Sequence, residues 1–202
     1  VQLERSIMLC GDGDAARYLD ISGQNPRVHA RLYYGMALWF LGYPDQALRA
    51  SADARTYADE SRHPFTEAMA RTISLRIHQL RGEFRIVANK ANAAIEICKE
   101  HEFPHYLAMA LILRGWAAAH DGRFDDARCD IEEGMKLERD TGAFLYGPYA
   151  HGLLAEAYIR NAEYEKAIDL LEEAAKWLDR HDSEYFYSAE MHRLLGEARL
   201  RS

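Results

Sequence analysis

Three groups of side chains in this 202-residue chain have the types and spacing that chemistry asks for. His101-Glu102-Phe103-Pro104-His105 spells H-E-x-x-H, in which two histidines one helical turn apart hold zinc and the glutamate serves as general base. That geometry needs a continuous helix, and Pro104 would clash with the preceding turn, so the segment is expected to be a connector. Asp121, Asp125 and Asp126, and likewise Gly11-Asp12-Gly13-Asp14, gather oxygens, yet neither supplies the alternating ligands and distal glutamate of a calcium loop. Their expected place is at turns and helix starts, where carboxylates offset unpaired amides. Cys98 and Cys129 fall on helical segments with no base placed to activate them, the usual pattern of a packed thiol. The residues therefore predict no catalytic group, no metal and no cofactor.

Composition narrows the remaining classes. Twenty-five Lys and Arg against 32 Asp and Glu leave a net charge of −7, without the positive field that tracks phosphates, so nucleic acid is not an expected partner. Cys10, Cys98 and Cys129 are odd in number and form no C-x-x-C, which reads as a reduced, cytoplasmic protein without a disulfide framework. The longest apolar run, Tyr106 to Leu113, stops at Arg114, far short of the roughly 18 residues of a membrane span. Val1-Gln2-Leu3-Glu4-Arg5 shows neither an initiator Met nor a signal pattern, so the chain is expected to be a piece of a longer protein. Five prolines and 13 glycines in a chain rich in Ala, Leu, Glu and Arg favour helix almost throughout.

What positions the side chains is an internal repeat. Leu41-Gly42-Tyr43-Pro44-Asp45-Gln46-Ala47 recurs as Arg81-Gly82-Glu83-Phe84-Arg85-Ile86-Val87, Asp121-Gly122-Arg123-Phe124-Asp125-Asp126-Ala127 and Asn161-Ala162-Glu163-Tyr164-Glu165-Lys166-Ala167, in steps of 40. Small residues keep the same phase at Gly35, Gly115 and Ala155, with Leu75 the exception, and again at Ala54, Ala94, Gly134 and Ala174. Glycine at the turn permits positive φ as a helix C-cap, the following aromatic plugs the gap between helices, and the small residues allow close approach. Helices are predicted at 27–41, 44–60, 65–81, 84–101, 105–121, 124–140, 146–161, 164–180 and 186–200. Such hairpins cannot bury their apolar faces alone, so they stack into an all-α solenoid, a single array over 1–202. Residues 1–26 form a partial repeat, 27–64, 65–104, 105–145 and 146–185 four full ones, and 186–202 half of a fifth. Gly11 lies nine residues too close to Gly42 for the period; either the first repeat is shortened or residues are missing near Asp20 to Gly23, the second being favoured.

The recurring G-x-[FY]-x-x-A turn, with a small residue seven positions before it, resembles the tetratricopeptide repeat, lengthened here to 40 residues. A narrower resemblance is carried by the run from Leu38 to Leu48, by Ile112-Leu113-Arg114-Gly115-Trp116-Ala117 and by Leu153-Leu154-Ala155-Glu156-Ala157-Tyr158. They look like the C-terminal repeats of bacterial multidomain signalling ATPases, which implies a parent carrying a cyclase or winged-helix domain and a regulatory ATPase. This chain has no G-x-x-x-x-G-K-[ST] phosphate cradle, so no such catalytic part is expected in it.

The resemblance implies a concave face lined by the first helix of each repeat. Projecting the phase places Met36 and Trp39, Arg76 and Gln79, Trp116 and His120, and Tyr149, Glu156 and Arg160 on that face. Aromatic and methionine side chains open to solvent, flanked by guanidinium groups, would hold an extended peptide by its carboxylates and amides. The expected function is a non-catalytic interaction or regulatory module that binds a peptide, a partner or a neighbouring domain. A small-molecule sensor groove is the alternative, and Trp39 and Trp116 turned sideways between repeats is the bland one.

Overall fold

Prolines and left-handed turn residues set the limits of the helices. The computed structural model describes residues 2–9, 18–19, 23–142, 146–180 and 185–202. The helices are α1 (Gln2–Leu9), α2 (Pro26–Phe40), α3 (Pro44–Ser61), α4 (Pro64–Leu80), α5 (Phe84–Glu100), α6 (Pro104–His120), α7 (Phe124–Asp140), α8 (Gly147–Arg160), α9 (Tyr164–Arg180) and α10 (Ser188–Arg201), with a 3₁₀ turn at Tyr185–Tyr187. No strand occurs among the described residues. Helices expected to begin just after Pro26, Pro64 and Pro104 begin on those prolines, because the first helical residue needs no N–H partner and proline already has helical φ. The Gly11–Asp14 turn and the stretch from Asp20 to Ser22 lie outside the described residues, as does the break at His181-Asp182-Ser183.

Four of the turns share one hydrogen-bond pattern. Gly42, Gly82 and Gly122 take φ of 84°, 71° and 79°, and Ala162 takes the fourth such position at 59°. Each donates its N–H back to Trp39, Gln79, Ala119 or Ile159, and the next residue donates to Leu38, His78, Ala118 or Tyr158 at 2.9 Å. This paired closure satisfies the last carbonyls of a helix and reverses the chain. Arg62, Glu102 and Gly142, at φ 48°, 55° and 73°, end the second helices halfway between. The H-E-x-x-H segment is the connector that its proline requires: His101 and Glu102 lie in the turn, and Pro104 opens α6.

The chain divides into two compact units, Val1–Tyr106 and Leu107–Ser202. In the first, α2 packs on α3 and α4, and α4 on α3 and α5, around Val28, Leu32, Met69 and Ile73. A second cluster holds Met36, Leu38, Ala47 and Ile77, with Trp39 packed against it. In the second unit, α8 packs on α7, α9 and α10. Phe124 plugs a cluster of Ala118, Ala119, Ala127 and Ala157, the role expected of the aromatic after the turn.

Helix contact depends on small residues. A Cβ at Gly115 would lie 2.7 Å from the Ala127 carbonyl oxygen and 2.7 Å from an Ile131 methylene, and one at Gly134 would lie 2.6 Å from the Ala108 carbonyl oxygen. The backbones of α6 and α7 therefore touch at two places, and Arg114 adds a fork of two 2.6 Å bonds onto Asp130 beside the first. Gly196, at the corresponding phase of α10, has open space around it.

The two glycines give opposite expectations in urea denaturation. Gly115→Ala must spread backbone from backbone; overpacking of about 1–3 kcal/mol outweighs the roughly 1 kcal/mol gained in helix propensity, and the midpoint falls. Gly196→Ala gains propensity without a clash, and the midpoint rises by an equivalent of about 0.5–1 kcal/mol. Equal shifts in the two variants would contradict this packing.

Candidate functional site

The repeat period itself brings side chains together. Trp116 and Glu156 stand one repeat apart on α6 and α8, and the Trp116 indole N–H donates to Glu156 Oε2 at 2.9 Å. His120, one turn along α6, places Nε2 2.9 Å from Glu156 Oε1, and its ring lies 4.4 Å from that of Trp116. Arg160, one turn along α8, donates from Nε to the Ala119 carbonyl at 3.4 Å. Four of the nine expected site residues thus form one cluster in the second unit. Burial works to raise the Glu156 carboxyl; bonds and charge from His120, the Trp116 bond and the Arg160 charge more than offset it, so it stays below its ordinary value.

The expected solvent-facing position does not hold for five of the nine side chains. Met36, Arg76, Gln79, Trp116 and Tyr149 are buried, Trp116 and Tyr149 at 2% and 1% exposure. Met36 belongs to the first unit's core, and Tyr149 sits edge-on to Tyr187 with ring centres 4.9 Å apart. The cause is packing between first helices: α2 lies on α4 and α8 on α10, so side chains projecting from these helices toward the next become shared interior. Trp39 is half-buried against the Met36 cluster, the sideways arrangement. His120 and Glu156 are half-buried, and Arg160 is exposed.

Other groups went unforeseen. His78, buried on α4, places Nδ1 2.7 Å from Glu83 Oε2, and Arg81 donates to the same carboxylate at 2.7 Å. Burial, with the Lys90 charge, holds the His78 imidazole below its ordinary value despite Glu83. Glu138 is a buried carboxylate on α7, and the register carried its signal: Ala58, Cys98 and Leu178 hold that phase in the other repeats. Burial pushes the Cys98 thiol up to about 11, which makes it a poor nucleophile. Among the described residues no group of three or more His, Cys, Asp and Glu could hold a metal, and no helix is long and apolar enough to cross a membrane.

No family model and no curated protein matches the chain. Solved structures do. BtubC from P. vanneervenii is similar at 14% identity and TM-score 0.66, over 99% of this chain and 81% of that one. A putative kinesin light chain from Podosopora anserina, with nearly identical TPR-like repeats, is similar at 16% identity and TM-score 0.56, over 87% and 94%. A Signal Transduction ATPase with Numerous Domains from Pyrococcus horikoshii, with a tetratricopeptide repeat sensor, matches 87% of this chain at 16% identity and TM-score 0.56, but over 26% of its own length. The shared property is the fold: an all-α array of tetratricopeptide-like hairpins.

Glu156 is expected to stabilise the second unit through ionisation. Its folded pKa is depressed, so the contribution is complete above the unfolded carboxylate value of about 4.3 and disappears as pH falls through the lower folded value. Glu156→Gln should lose about 1–3 kcal/mol at pH 7 by urea denaturation, and should narrow its deficit against the parent as pH drops below about 4. A deficit that stays constant across that window would mean that the ionised carboxylate contributes nothing.

Proposed function

We propose that the chain is a non-catalytic interaction and regulatory module of a larger bacterial signalling protein, gripping a peptide, a partner protein or a neighbouring domain through its first-helix surfaces. One observation carries the reading. Among the described residues, four of the seven exposed large apolar side chains, Tyr33, Phe40, Leu41 and Tyr43, crowd into α2 and its turn. Tyr33 and Phe40 stand seven residues apart and share a helical stripe with His29, whose ring lies 4.6 Å from Tyr33. Exposed apolar side chains gathered in one place mark a contact surface.

Of the residues first assigned to binding, Trp39 borders this stripe in the first unit, and His120, Glu156 and Arg160 offer a polar edge in the second. The aromatic surface suits apolar side chains of an extended peptide, and the Arg160 guanidinium suits its carboxylates. Met36 backs Trp39 and Trp116 holds Glu156 from the interior, while Arg76, Gln79 and Tyr149 are buried. The signalling role draws on the likeness to the Pyrococcus ATPase, which carries tetratricopeptide repeats as a sensor. Cys98 and Cys129, both free thiols, accord with a reducing cytoplasm.

The test is capture from bacterial extract on the immobilised chain, with bound proteins and metabolites quantified by mass spectrometry. Phe40→Glu with Tyr43→Glu changes exposed side chains and should leave helicity and melting unchanged, whereas Arg160→Glu also puts a like charge beside Glu156 and should keep helicity while lowering the melting temperature modestly. Each should lower a specific protein partner about tenfold or more, as loss of an anchor does. Partners retained equally by both variants, or capture of metabolites alone, would overturn the interaction reading.

A further inference from the structure

Repeat register singles out three basic positions in the first unit. Arg55 on α3 stands where the later repeats hold Ile95, Met135 and Ala175, and His78 on α4 where the others hold Leu38, Ala118 and Tyr158. Lys90 on α5 stands where they hold Ala50, Asp130 and Leu170. The three departures meet, since α3 and α5 both pack on α4. Lys90 Nζ lies 3.4 Å from His78 Nε2, and the Arg55 charge acts on both. In the third repeat the Lys90 phase is Asp130, neutralised by the Arg114 fork. In the second repeat the Arg114 phase is Ser74, whose hydroxyl donates to the Arg71 carbonyl at 2.9 Å. Where one repeat has an ion pair, the other has an ammonium and a neutral residue.

We propose that Arg55 and Lys90 together bind a dianionic oxyanion of the phosphate type, with His78 positioning the Lys90 ammonium. Among the described residues neither cation has an ion pair, and Arg55 Nε is buried without a hydrogen bond, a condition that a ligand relieves. His78 Nδ1 donates to Glu83 Oε2 at 2.7 Å, so the neutral ring leaves Nε2 to accept from Lys90. The ammonium keeps its remaining N–H groups for a ligand. Glu83 is the carboxylate that acts on His78 and Lys90, and Arg81 binds it at 2.7 Å, so its charge is shared before it reaches the site. Burial, then the Arg55 charge, hold the Lys90 ammonium below its ordinary value, and an anion beside both cations opposes that repulsion. Two positive charges match a dianion, whereas a carboxylate balances one of them. Lys90 is exposed, so an anion reaches it from solvent, and half-buried Arg55 supplies a fork suited to phosphate oxygens. The chain's net charge of −7 attracts no anion by its overall field, so binding here is local.

The test titrates inorganic phosphate, methyl phosphate and acetate into the whole chain at about pH 8 and constant ionic strength, read by amide and imidazole chemical shifts. Phosphate should bind at least about tenfold tighter than acetate, with shifts gathered around Arg55, His78 and Lys90. The His78 titration midpoint should rise in phosphate relative to chloride, because a nearby anion favours the imidazolium. Both readouts use the unaltered protein and stand even if a variant does not fold. Arg55→Gln and Lys90→Gln should each weaken phosphate about tenfold, the margin of a charge-assisted bond. Arg49→Gln removes an exposed charge from the same helix and should change affinity less than about twofold. Methyl phosphate bound as well as the free ion supports the site with an esterified ligand, and its exclusion supports the site with the free ion. Phosphate that fails to bind or binds no better than acetate, shifts gathered elsewhere, an unmoved His78 midpoint, or equal losses in Arg49→Gln and Arg55→Gln would each overturn the site.

Discussion

A residue in the left-handed conformation about every 20 positions, from Arg62 to Ala162, governs the rest of the described structure. Each one stops a helix, lets backward N–H bonds close its end, and returns the chain antiparallel. With turns at constant spacing, helices settle at 17 residues in α4 to α7, and side chains recur in matching environments after 40. That recurrence makes residues far apart in sequence into neighbours: the Trp116 to Glu156 bond spans one period. Glycine meets the requirement at 42, 82 and 122 without strain. Ala162 meets it with a Cβ, at a cost that the surrounding closure must offset.

Periodicity also makes departures from it informative. Leu75 stands where Gly35, Gly115 and Ala155 let helices touch, and it is buried, so the hairpin of α4 and α5 accommodates a full side chain at that phase. Glu138 stands where the other repeats are apolar. It lies on the wall of a cavity of about 240 Å³ in the second unit, rather than in a close-packed junction. A polar intrusion and a packing gap that coincide differ from either alone, since the gap spares the charge a full apolar enclosure.

The helices were legible in the sequence because their limits are chemical. Proline, a turn glycine and a following aromatic act locally, and four copies in register average out ambiguity. The zinc-like His101 to His105 segment was rejected on the same local ground, and the structure places its His101 and Glu102 in a turn. The site was less legible. Phase reveals which face of a helix a residue occupies, but not whether a neighbouring first helix covers that face. For Arg76, Gln79, Trp116 and Tyr149 it does, and no count along one repeat contains that information. Comparison between repeats contained more: reading position 138 against 58, 98 and 178 was enough to find the buried carboxylate.

Covering the expected face does not leave it without consequence. A half-buried carboxylate held by an indole and an imidazole tolerates little displacement, because losing either donor leaves charge in a poorly solvated place. The Trp116, His120 and Glu156 cluster therefore fixes how α6 and α8 lie against each other, side by side at one register. Arg160 continues the cluster to the surface, so its guanidinium is presented from a framework already ordered by folding. A partner carboxylate meeting that group would lose less conformational freedom than at a loose surface arginine, since the stem is held and only the end remains to be engaged. The polar interior and the exposed edge are in this way continuous: the first joins two helices one period apart, and Arg160 carries that order to the surface.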